Sequence, residues 1–165
     1  MHLIKTKIKL NKCLVTKLVS LVISVLIMVS CSTATTEKEF ENQIDEYCVG
    51  LISGQPKLSS NKDEIESVLD YFIEQAESLN SITKRGVKGE KHSSQVNILK
   101  DASQDLIKNY QPYLTAVQAV KGDYERIDET KLLKYSQGID KANSSIKTAL
   151  TNIGTPNCVK YTEKI

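Results

Sequence analysis

From residue 36 onward, apolar side chains recur every three or four positions in four blocks separated by Gly, Pro and charged residues. That period marks helices with one buried face. The first block opens on Thr36-Glu37-Lys38-Glu39, a capping-box pattern in which the Thr hydroxyl and the Glu carboxylate each satisfy an orphan backbone N–H. Phe40, Ile44, Tyr47, Cys48 and Leu51 then share a face, and Gly54 and Pro56 end the element. A second start signal, Asn61-Lys62-Asp63-Glu64, precedes the cleanest stripe: Ile65, Val68, Leu69, Phe72, Ile73, Ala76, Leu79 and Ile82, closing at Lys84-Arg85-Gly86. The third block starts near Ser93 or Ser94 and runs through Val96, Leu99, Ala102, Leu106, Tyr110, Tyr113, Leu114, Val117 and Val120 to Gly122. Pro112 inside it removes the backbone bond to residue 108, which predicts a kink or break. The fourth begins between Asp123 and Asp128, carries Leu132, Tyr135, Ile139, Ala142, Ile146, Ala149, Leu150 and Ile153, and stops at Gly154-Thr155-Pro156. No segment sustains period-two alternation, so strands are not expected. The pattern predicts an all-α domain, a small four-helix bundle over residues 37–165.

Residues 1–30 follow a different rule. Lys5, Lys7, Lys9, Lys12 and Lys17 lead into an apolar run from Leu18 to Val29, then Ser30 and Cys31. A basic segment, a short apolar core and a small residue make a secretory signal. Counted from Leu18, the run is shorter than the ~20 residues that span a bilayer. The alternative is an uncleaved anchor from Cys13 to Val29, with Lys17 snorkelling at its edge.

Met28-Val29-Ser30-Cys31 resembles the lipobox of bacterial lipoproteins, with Met28 where that family usually has Leu. The resemblance implies a diacylglyceryl group on the Cys31 thiol, cleavage just before Cys31, and residues 31–36 as a lipidated tether. The membrane is then a partner through lipid on Cys31. Two or three acyl chains suffice for stable anchoring, since each buried methylene contributes about 0.8 kcal/mol. In a cell with two membranes, Ser32 after the lipidated Cys implies transport to the outer membrane, facing the periplasm.

Charge sharpens the division. The 165-residue chain has a formal net charge of +2, but residues 1–30 hold five of its 22 basic residues and none of its 20 acidic ones. The remainder carries 17 basic and 20 acidic residues, a net −3, which argues against nucleic acid as a partner. Of four Cys, Cys13 leaves with the signal and Cys31 carries lipid, so Cys48 and Cys158 are expected to form one disulfide in an exported domain. A bridge closing a loop on the order of a hundred residues stabilises by roughly 4.7 kcal/mol in the chain-entropy model. Two routes to it stay open: the tail after residue 154 folds back on the first helix, or the connection from Ser53 to Lys62 lets that helix cross over the bundle.

Catalytic chemistry is sparse. After cleavage the chain keeps one imidazole, His92, and no Met. No haem, zinc or di-iron set and no His-based triad can be assembled from these, and no Gly-rich phosphate loop follows a strand. The carboxylates Asp63, Glu64, Glu66, Asp70, Glu74 and Glu77 mostly fall on the polar face of the second helix. No cofactor, metal or catalytic residue is expected, and the chain does not read as an enzyme. Two places stand out for contact instead. Lys84, Arg85, Lys88 and Lys91 face only Glu90 in their loop, a candidate contact for an anion or acidic partner, against a reading as a merely solubilising loop. Tyr110 and Tyr113 flank the Pro112 kink, where they either present amphipathic surface to a partner or belong to the core.

The expectation is therefore a membrane-anchored, non-enzymatic lipoprotein whose helical domain binds another envelope protein. In shape it is similar to the secretin pilotins of type II secretion, which are small, lipidated and helical; the likeness is one of architecture. The alternative is an inhibitor, immunity or exclusion lipoprotein acting against an incoming toxin, phage or plasmid. Replacement of Cys31 by Ser (Cys31→Ser) should abolish metabolic fatty-acid labelling of the full chain; labelling that survives it contradicts the lipoprotein assignment.

Overall fold

The computed structural model describes residues 34–54, 56, 62–120, 126 and 128–164. The signal segment with Cys13 and Cys31, the Asn61 start signal and the Gly122 stop lie outside them. Among the described residues there are five helices: α1 (Glu37–Gly54), α2 (Lys62–Lys84), α3 (Ser93–Ala119), α4 (Glu129–Ile153) and α5 (Pro156–Lys164). Two-residue strands β1 (Thr35–Thr36) and β2 (Val87–Lys88) pair in parallel, with Thr35 opposite Val87 and Thr36 opposite Lys88.

The local signals act as their chemistry requires. Glu39 Oε2 accepts the Thr36 backbone N–H at 3.0 Å, and Thr36 Oγ1 accepts that of Glu39 at 3.3 Å, which completes the capping box of α1. The Asp128 carboxylate caps α4 by accepting the Thr130 N–H at 2.9 Å. Gly154 ends α4 in the left-handed region (φ 74°), with its N–H on Leu150 O at 3.1 Å.

Consecutive helices run antiparallel. Tyr110 of α3 meets Asn143 of α4, while Tyr113 stacks on Tyr135 with centroids 6.4 Å apart, so the chains run in opposite directions. Glu37 at the start of α1 reaches Lys91 beyond the end of α2, and Gly54 at the end of α1 abuts Tyr71 inside α2. One core joins all five helices, with Phe40, Ile44, Leu79, Leu99 and Leu150 fully enclosed. Each such side chain contributes about 1.5–3 kcal/mol by burial.

Three sequence expectations change. There are five helices among the described residues, not four, because the residues that stop α4 also start α5. Pro156 stands at the first helical position, where its missing N–H costs nothing, and Thr155 O accepts the Val159 N–H at 3.0 Å. Pro112 does not break α3, which continues to Ala119. The strand pair was not foreseen, since two residues are too few to show alternation; Thr35 N–H donates to Gly86 O at 3.2 Å and ties the chain before α1 to the α2–α3 loop.

The tail folds back on the first helix, as one of the two routes to the disulfide supposed, but as a helix rather than an extended strand. Cys48 and Cys158 lie at disulfide distance, with Cα atoms 5.0 Å apart and 110 residues between them in sequence. Asp45 of α1 supplies the first turn of α5 with acceptors: Asn157 donates its backbone N–H to Oδ1 at 2.9 Å and its amide Nδ2 to Oδ2 at 2.7 Å. Burial is the largest single influence on Asp45 and works against ionisation, but the two Asn157 bonds, with Thr155 and Lys160 adding to them, together hold the carboxyl below its ordinary range. Helix α1 consequently packs more extensively on α5 than on α2.

Candidate functional site

Three places on the domain combine exposure, charge or open volume. The first is the end where β1 meets the α2–α3 loop. Lys84, Arg85 and Lys88 are exposed there, as a contact loop requires. The expectation that the four cations face only Glu90 is corrected. Strand pairing lays the acidic first turns of α1 against the loop: Glu41 Oε1 accepts from Lys91 Nζ at 2.6 Å, and Glu37 Oε1 accepts the Lys91 backbone N–H at 3.0 Å. Gly89 (φ 130°) leaves room for Glu37, whose carboxylate occupies the space a side chain would need. Glu39 lies close enough for Lys88 to help hold its carboxyl low, after the larger effect of the Thr36 backbone N–H. The patch is thus a mixed-charge surface rather than a cationic one.

His92 belongs to this latch. It is buried beside Phe40, with ring centroids 6.0 Å apart, and its Nε2 lies 2.7 Å from Glu41 Oε1. The Glu41 carboxyl is held low by its bond to Lys91 first and to His92 second.

The second place is a groove between α3 and α4, lined by Tyr113, Leu132, Leu133 and Ile139 and ending on Tyr110. Leu133 is 60% exposed, the most open of the large apolar residues among those described. The candidate pair Tyr110 and Tyr113 divides here. Tyr110 is a core residue, buried and stacked on Phe72 at 5.6 Å with the rings 7° from parallel. Tyr113 is half-buried on the groove wall. Close approach of the two helices is made where Gly138 faces Asn109, whose amide fills the position of a Cβ.

The third place was not singled out in the sequence. A cavity of about 550 Å³ opens where the five helices converge. Tyr47 from α1, Phe72 from α2, Tyr110 from α3 and Tyr161 from α5 form its aromatic walls, and Asp140 and Lys147 of α4 stand among its lining residues. Burial pushes all three tyrosine hydroxyls up, Tyr110 to about 12. Tyr47 and Tyr110 already lay on apolar stripes, but nothing local in the sequence reports that five helices leave a gap between them.

Among the described residues, no group of three or more His, Cys, Asp or Glu could hold a metal ion, and no helix is long and apolar enough to cross a membrane. What the described residues define is a helical domain with a cysteine pair at disulfide distance, a partly open cavity and an apolar groove. Comparison of the chain with protein-family models, curated proteins and solved structures finds no match.

The latch has a pH signature. Because Glu41 has a lowered folded-state value, its stabilising contribution is present above the ordinary glutamate value of 4.5 and is lost as pH falls through the folded value. Glu41→Gln should therefore be less stable than the unmodified protein in urea melts at about pH 7, with a smaller gap in melts run below pH 4.5. An equal gap at both pH values would contradict this role.

Proposed function

We propose that the chain is a lipid-anchored, non-enzymatic lipoprotein whose helical domain binds another envelope protein in the α3–α4 groove. The observation that carries this reading is the groove itself, with Leu133 60% exposed beside the half-buried Tyr113 and Leu132. The groove sets Leu133 beside Tyr113, Leu132 and Ile139 in one apolar strip, a surface that a partner could cover. Its shape suits an amphipathic helix that inserts apolar side chains at helical spacing. In this reading α1 to α4 act as a four-helix bundle and α5 as its clamp.

Chain length adds an orientation. Three residues separate a lipidated Cys31 from Thr35, at most about 14 Å of extended backbone from one Cα to the other. The β1–β2 end would then stand next to the membrane. Tyr113 lies 20 residues beyond Ser93 in α3, about 30 Å farther along the helix axis. An anchored domain of this kind would hold its groove away from the bilayer, where an envelope partner is reached, as an adaptor of the pilotin kind requires. The mixed-charge loop at the other end would contribute little attraction for headgroups.

A photoreactive amino acid placed at position 133 and activated in intact growing cells tests this. The expected result is one dominant crosslinked envelope protein, lost when Tyr113→Ala is added and absent when the crosslinker stands at position 74 on α2. No crosslink from position 133 in unchallenged cells, or one indifferent to Tyr113→Ala, contradicts an adaptor role.

A further inference from the structure

The cavity where the five helices meet holds chemistry that the groove does not. Its volume of about 550 Å³ lies within the range of small-molecule sites, about 300–1,000 Å³. Its floor is apolar: Leu51, Ala76, Leu106 and Ile146 are buried there. Four aromatic rings on four different helices form its walls, Tyr47, Phe72, Tyr110 and Tyr161. Burial keeps the three tyrosines protonated at any physiological pH, so the walls offer π-electron density without formal charge.

One formal charge acts on those walls. After burial, and after Tyr161, the carboxylate of Asp140 adds to the upward push on the Tyr110 hydroxyl. Asp140 is exposed, which sets the negative charge at the mouth, above the buried rings. The residues one turn from it on α4 are Ser136, Gln137, Asn143 and Ser144. Its own helix therefore supplies no cation at the spacings where side chains pair. Among the described residues the ion pairs found belong to Glu41. Lys147 also lines the cavity, but it stands two turns farther along α4, about 10 Å away, and acts on none of the three tyrosines. A lysine stem is long enough to carry its ammonium out to water. The aromatic end of the cavity thus has a negative field and no cation of its own.

We infer that this cavity binds a small organic ammonium ion with alkyl groups on nitrogen, its charge among the aromatic rings below Asp140 and its apolar groups on Leu51, Leu106 and Ile146. A ring face attracts a cation within about 6 Å of its centroid, and more strongly out of water. Alkyl groups in place of N–H leave no donor unsatisfied over an apolar floor. An anion would be repelled by the same ring faces and the same carboxylate. This inference does not rest on partner binding in the groove.

The test uses the full chain in vesicles free of choline lipids, with empty vesicles as the blank. The probes are choline, its neutral isostere 3,3-dimethylbutanol, and the anion of the same shape, 3,3-dimethylbutanoate. Saturation transfer to their methyl protons, titrated by NMR, gives the three affinities. Choline should bind at least about tenfold tighter than the alcohol, the discrimination that cation–π attraction in a desolvated site supplies, and the anion should bind most weakly. Asp140→Asn should weaken choline roughly threefold, the scale of an exposed charge, with Asp140→Glu restoring it and the melting temperature unchanged in both. Tyr161→Phe should keep choline binding, because the ring and not the hydroxyl holds the cation. Lys147→Gln should leave binding intact or tighten it. Absence of choline binding, equal affinity for choline and the alcohol, indifference to Asp140→Asn, or a loss caused by Tyr161→Phe or Lys147→Gln overturns the assignment.

Discussion

The docking of α5 on α1 is the contact from which the other features follow. A helix of nine residues is too short to be stable alone, so its presence must be supported by tertiary contacts. Asp45 supplies acceptors to its first turn, Cys48 is placed to bind it covalently at Cys158, and Ile44 and Leu51 lie in the same core. In return α5 packs on α1 more extensively than α2 does. A crosslink across 110 residues acts largely on the unfolded chain, where it removes loop-closure entropy on the order of 4–5 kcal/mol. The cost of ordering a short terminal helix is thereby offset.

This arrangement also produces the cavity. The end of α5 brings Tyr161 opposite Tyr47 and Tyr110, and the three rings, together with Phe72, hold the helices apart around a space that aliphatic side chains leave open. Tyr110 is a shared wall, lining both the cavity and the end of the α3–α4 groove. The β1–β2 pair and the Glu41 bonds to Lys91 and His92 fix where α1 starts.

Much of the fold was legible in the sequence because its signals are local. The four stripes, the Thr36–Glu39 capping box and the Asp128 cap can be recognised within a few residues of themselves. Pairing of Cys48 with Cys158 was legible by elimination once Cys13 and Cys31 were expected to act in the signal segment. Helix α5 was missed because Gly154-Thr155-Pro156 is a stop signal read forwards and a start signal read backwards, and only three or four apolar residues follow it. The neutralised basic loop was missed for a nonlocal reason: Glu37 and Glu41 lie some fifty residues before Lys91 in sequence. For the candidate sites, Tyr110 and Tyr113 were visible as types, but their division between core and groove depends on the side of α3 that meets Phe72. The cavity could not be read at all, since a void is a property of packing between elements.

The central claim is that α1 depends on α5 for its place against the other helices. Amide hydrogen exchange on the full chain, before and after reduction of the Cys48–Cys158 pair, addresses it most directly. The account predicts that protection in α1 and α5 falls together on reduction, while the interiors of α2, α3 and α4 stay protected. Loss confined to α5, with α1 protection unchanged, would contradict it.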